Sequence, residues 1–130
     1  MPIMDFFRTF AELAGGLIEA GGDTATDGLS LLPLLHNPRA HLQRDALYYH
    51  YPHYYATTSP VSAVREGDWK LLEYFEDNHV ELYNLRDDLG ETRDQAAQQP
   101  ERAARLRERL HTWRKEVGAQ LPAPNPAAQP

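Results

Sequence analysis

The sequence contains no cysteine. That excludes a disulfide framework, a thiolate nucleophile and a cysteine-ligated zinc site. It contains no apolar run approaching the roughly 18–20 residues that a membrane-spanning helix needs. The opening MPIMDFF lacks the basic stretch and long apolar core of a secretory signal. Positive charge is scarce: 13 Lys/Arg face 19 Asp/Glu, a net charge of −6. A nucleic-acid partner, which requires a basic face, is excluded on that ground. None of the three serines, Ser30, Ser59 and Ser62, has the flanking glycines of a GxSxG elbow, and there is no glycine-rich phosphate loop. Composition leaves the compartment open.

What is present is one domain's worth of chain: 130 residues, 42% hydrophobic and 10% aromatic, a composition that excludes wholesale disorder. The charge is unevenly placed. Residues 1–98 hold 7 Lys/Arg against 16 Asp/Glu, whereas residues 99–130 hold 6 against 3. A basic end on an acidic body predicts that the two attract each other, with a solvated helix face as the plainer alternative.

MDFFRTFAELAGG places Phe6, Phe7, Phe10, Leu13 and Ala14 at helical spacing, with Asp5 in position to cap the first amides and Gly15-Gly16 to end the helix. GGDTATDGLS is loop by composition, and Pro33 limits LSLLPLL to a helical turn. From Ala46 the pattern turns to strands. ALYYHY ends at Pro52; SAVRE and WKLLEYF are joined by Gly67-Asp68; HVELYNL follows the turn residues Glu76-Asp77-Asn78. Trp69, Leu71, Glu73 and Phe75 share one face of their strand. Pro100 opens an amphipathic helix with Ala103, Leu106, Leu110, Trp113 and Val117 in its apolar stripe, and Arg102, Arg105, Arg109 and Lys115 around the other side.

The pattern therefore predicts an α+β fold: a small antiparallel meander of about four strands packed against a long C-terminal amphipathic helix. An N-terminal helix and long loop precede it. The expected organisation is an N-terminal region at 1–45, the sheet and helix at 46–121, and a disordered proline-rich tail at 122–130.

The segment LYYHYPHYY, 47–55, is the most conspicuous source of chemistry. His50 and His53 lie three apart around Pro52, among five tyrosines. A zinc site needs three or four ligands, and only Asp77 and His79 offer themselves nearby. The remaining readings are structural packing and the lining of a pocket. Glu73, Glu76 and Glu81 are candidate paired carboxylates whose simpler reading is solvation on exposed strands. The pair Asp87-Asp88 reads as a turn.

Taken in order, six segments resemble one family. DFFRTFAELAGG is similar to its helix D-hydrophobic-x-PTL-x-x-LAG, with Arg8 where proline is usual, and DGLSLLPLL to the element that follows. ALYYHYPHY, SAVREGDWKLLEYFEDNHVELYNL, DDLGETRDQA and PER…LHTW complete the series. The family is the type I, formylglycine-dependent sulfatases of the alkaline phosphatase superfamily, and the resemblance is to their C-terminal end. It implies a C-terminal subdomain whose partner is a sulfatase catalytic domain. The nucleophile, formed from cysteine or serine in CxPxR or SxPxR, and the calcium ligands would lie on that partner. No catalytic or metal-binding residue of the family, and no cofactor, is matched in this chain. The expected role is structural and cleft-shaping, with no activity alone. His50, Tyr51, His53 and Tyr54 are the candidate substrate-binding or domain-seam residues. In isolation the phenylalanine-rich helix predicts a homo-oligomer. The alternatives are a free-standing binding or assembly module and a histidine-based metal enzyme.

Overall fold

The structure, a computed structural model, describes residues 2–16 and 27–123. Residues 21–26 of the expected loop at 21–30, and residues 124–130 of the expected disordered tail at 122–130, lie outside the described residues. The chain divides into two compact units, Met1–Arg44 and Asp45–Pro130.

The first unit holds α1 (Met4–Leu13) and the single helical turn α2 (Leu32–His36). Asp5 is not the helix cap that the sequence predicts. Ile3 occupies the cap position without a side-chain bond, and Asp5 is buried one residue inside the helix. Its carboxylate accepts from the Leu29 amide at 3.0 Å and from Arg44 at 2.5 and 3.0 Å. One turn further on, Thr9 is also buried and accepts from the Leu31 amide at 2.9 Å. The buried side chains of α1 are thus polar, at positions i and i+4. Phe7 and Phe10, by contrast, are 61% and 63% exposed.

Gly28 is required where the returning segment crosses α1. A Cβ there would lie 2.2 Å from the Met4 carbonyl oxygen and 2.9 Å from its carbon, a backbone contact that no rotamer relieves. Gly28→Ala is therefore expected to destabilise this unit by about 1–3 kcal/mol. Hydrogen exchange at the Leu29 and Leu31 amides should accelerate. Gly90→Ala, whose new methyl meets only Thr92 Cγ2 at 3.5 Å, should leave exchange unchanged. Equal effects from the two substitutions would refute the steric account.

The second unit is the predicted meander. Strands β1 (Leu47–Tyr51), β2 (Val61–Glu66), β3 (Trp69–Tyr74) and β4 (Val80–Asn84) pair antiparallel in the order β1-β2-β3-β4. Gly67 takes φ +58° in the tight β2–β3 turn, and Asn78 takes φ 59° before β4, as short polar residues tolerate. Pairing of Val64 with Leu71, and of Leu71 with Leu82, aligns three apolar side chains across the sheet. Helix α3 (Pro100–Glu116) covers that face, and Ala103, Leu106 and Leu110 close the core over Val64, Leu71 and Leu82. Val117, the last member of the predicted stripe, falls beyond the helix and is exposed.

The arginines of α3 flank its apolar stripe and engage the sheet, while Lys115 is exposed. Arg105 and Arg109 both bond Glu66, Arg109 also donates to the Tyr48 hydroxyl at 2.9 Å, and Arg102 lies 4.2 Å over the Trp69 ring. Tyr48 stacks on Trp113 with ring centroids 4.7 Å apart. The expected attraction between basic end and acidic body is therefore intramolecular.

Candidate functional site

The aromatic segment and the C-terminal end of α3 form two adjoining surfaces of the second unit. His50 lies on the α3 side of β1, where its ring meets Phe75 edge-on at 5.8 Å. Its Nε2 is 2.7 Å from the Gln120 carbonyl oxygen. A carbonyl only accepts, so Nε2 donates to it, and Nδ1 is hydrogen-bonded to the Ser62 hydroxyl at 2.6 Å. Both ring nitrogens are thereby used in tying the segment after α3 to the sheet.

His53 and Tyr54 follow the bend at Pro52. Both help to line an open cleft of about 800 Å³, together with Pro60, Phe75, Glu76 and residues 120–123. Tyr54 donates to Glu76 at 2.9 Å, and that neighbouring carboxylate pushes the phenol's pKa up. Tyr51 does not line the cleft. It backs His53 edge-on at 5.6 Å and meets Tyr55 at 6.4 Å. Of the four predicted residues, two reach the cleft, one supports them and one anchors the chain beside it. The arrangement offers ring faces, a phenol and an imidazole for stacking and hydrogen bonding. Asp77 and His79 pair with each other at 2.5 Å. Among the described residues no three His, Cys, Asp or Glu side chains are grouped to hold a metal ion.

Beside the cleft lies a second cavity, of about 400 Å³, that shares Phe75 and Leu121 with it. At its base is Glu73, only 2% exposed rather than solvated as the strand pattern suggests. It accepts from Arg107 Nε at 2.6 Å, His111 Nε2 at 2.9 Å and Arg114 Nη2 at 2.5 Å. Burial pushes its pKa up. The hydrogen bonds of His111 and Arg107 and the charge of Arg114 more than offset this and hold it below the ordinary value of 4.5. One signal for this cluster exists in the sequence: Glu73 shares a face with Leu71 and Phe75. A charge on an apolar face demands partners.

A family model for the C-terminal region of N-sulphoglucosamine sulphohydrolase matches residues 2–116. The chain belongs to this sulfatase family. A curated sulfatase of Formosa agariphila is 31% identical over 122 residues, which cover 85% of the chain and 22% of that protein. A protein solved in complex with its substrate, D-glucosamine-2-N,6-O-disulfate, superposes with a TM-score of 0.66 at 27% identity, over 88% of the chain and 24% of its own length. A 2-O GAG sulfatase superposes with a TM-score of 0.71 at 25% identity, over 88% and 25% respectively. The chain thus spans about a quarter of the length of these sulfatases.

Proposed function

We propose that this chain is the C-terminal part of a sulfatase, structural and cleft-shaping, whose ester-cleaving residues lie on sequence outside these 130 residues. The observation that carries this is the match to a C-terminal family model over 2–116, by a chain equal to 24% of a substrate-bound relative. The sequence agrees, since no cysteine is present and none of Ser30, Ser59 and Ser62 begins an SxPxR motif. In this reading His53 and Tyr54 form a wall against which a sulfated ring rests, with Tyr51 behind His53. His50 sets the wall's position through Ser62 and Gln120.

The inverted polarity of α1 supports the same reading. A helix that buries Asp5 and Thr9 and exposes Phe7, Phe10 and Leu13 leaves an apolar face that water disfavours. The occupant proposed for it is the catalytic portion of the sulfatase, the three quarters of the relatives' length that this chain does not cover.

The pure chain is expected to release no sulfate from D-glucosamine 6-sulfate. In a sulfatase polypeptide carrying this region, His53→Ala and Tyr54→Ala should lower kcat/KM roughly three- to tenfold, the worth of one aromatic contact. Phe7→Ser with Phe10→Ser should loosen the attachment of this region, read as faster limited proteolysis. Hydrolysis by the 130-residue chain, abolished by a substitution within it, would overturn the proposal. So would a chain whose phenylalanine face is fully covered by a second copy in the intact enzyme, which would make it an assembly module.

A further inference from the structure

The cavity beside Glu73 holds more positive charge than its one buried acid neutralises. The guanidinium groups of Arg107 and Arg114 and the exposed Lys115 line the same cavity. Glu73 engages only one edge of each guanidinium, Nε of Arg107 and Nη2 of Arg114. Each guanidinium carries five N–H donors, so both retain donors that this carboxylate does not use.

Arg114 is the sharper case. Its side chain is 11% exposed, and its Nη1 is buried without a hydrogen-bond partner among the described residues. Its guanidinium also lies 5.2 Å over the Phe75 ring, which restricts how far it can turn to find one. A buried charged donor without an acceptor leaves positive charge uncompensated beside the cavity, and an anion held there by the more exposed donors offsets that charge. The remaining walls are Phe75, Ala119 and Leu121, with the polar Asn78 and His111. At about 400 Å³ the space admits a tetrahedral oxyanion and part of whatever carries it.

We propose that this cavity binds a sulfate group, free or esterified to a saccharide, with Arg107, Arg114 and Lys115 as its donors. Two guanidiniums held in place by a shared carboxylate are already oriented, so binding does not have to order them. The choice of sulfate among the tetrahedral oxyanions rests on the sulfatase reading. The presence of an anion site does not, and inorganic phosphate serves as the probe that separates the two.

The test is a titration of the 130-residue chain with sodium sulfate, sodium phosphate and D-glucosamine 6-sulfate, each against sodium chloride at equal ionic strength. Amide and side-chain shifts of Asn78, His111 and Ala119 are followed by NMR. Saturable shifts with sulfate or the sugar sulfate, absent with chloride, are the expected result. Lys115→Gln, which leaves the partners of Glu73 in place, should weaken binding severalfold with an unchanged circular dichroism spectrum. Arg107→Gln with Lys115→Gln, read at a temperature where that spectrum shows the variant folded, should weaken it at least tenfold. Saturation by the sugar sulfate alone assigns the ester as the source. Saturation by phosphate alone keeps the anion site and removes sulfate as its ligand. Shifts that rise linearly and equally with all the salts would overturn the proposal, as would saturable binding left unchanged in the double variant.

Discussion

Glu73→Gln is expected to destabilise the protein by about 3–5 kcal/mol, because it removes the acid from a buried ion cluster and leaves its cations uncompensated. The amide preserves shape but presents an NH₂ donor to groups that are themselves donors, Arg107 Nε and Arg114 Nη2. Arg114 cannot retreat into solvent, since it is nearly buried and braced by Phe75. For a unit of this size the loss corresponds to a drop in Tm of roughly 15–30 °C, measurable by thermal circular dichroism. A change of less than ~1 kcal/mol would show that the cluster is solvated and decorative.

The same cluster fixes the direction of the pH dependence. The folded protein holds the Glu73 carboxyl below its ordinary value of 4.5, so as pH falls the unfolded chain takes up that proton first. The stabilisation is fully present above pH 4.5 and is lost as pH falls through the folded value. Asp5, lowered chiefly by its hydrogen bond from Arg44, and Glu66, lowered chiefly by that from Arg105, act in the same direction. Denaturant midpoints should therefore decline steeply below pH 4.5, and more shallowly in Glu73→Gln, which lacks one of the titrating groups. An equally steep decline in the variant would assign the acid limb to the other carboxylates.

Leu106→Ala should cost about 3–5 kcal/mol, the range for a fully enclosed leucine whose cavity cannot collapse. Leu106 has no exposed surface and sits among Val64, Leu71, Leu82, Ala103 and Leu110, on the line where α3 crosses the sheet. Strand pairing holds one side of that cavity and helical hydrogen bonding the other, so neither can move in to fill it. Val117→Ala is the control. The periodicity puts Val117 in the same stripe, but it is 55% exposed past the helix end, and its loss should stay within about 0.5 kcal/mol. Similar costs for the two substitutions would mean that α3 is not seated as described.

The meander and the long helix were legible because their signals are local. Alternation from Val61 to Tyr74, the Gly67-Asp68 turn and the three- and four-residue steps from Ala103 to Trp113 each depend on neighbours close in the chain. The family was legible for a related reason: six short segments in a fixed order. The roles of polar residues were less so. Asp5 reads as a cap, yet its carboxylate bonds Leu29 and Arg44, 24 and 39 residues away. Glu73 reads as solvated, yet its partners lie 34 to 41 residues on. His50 and His53 read as one pair, and the bend at Pro52 sends them to different tasks.

By itself the sequence determined which segments become strands and helix, which faces are apolar, and to which family the chain belongs. Those properties follow from backbone geometry repeating every two or 3.6 residues. Only the tertiary structure decided where each charge goes, because an ion pair forms between whichever groups packing brings within about 3 Å, regardless of their separation in the chain. The cluster at Glu73 exists because α3 crosses β3 at that point, and no local pattern in either segment records the crossing.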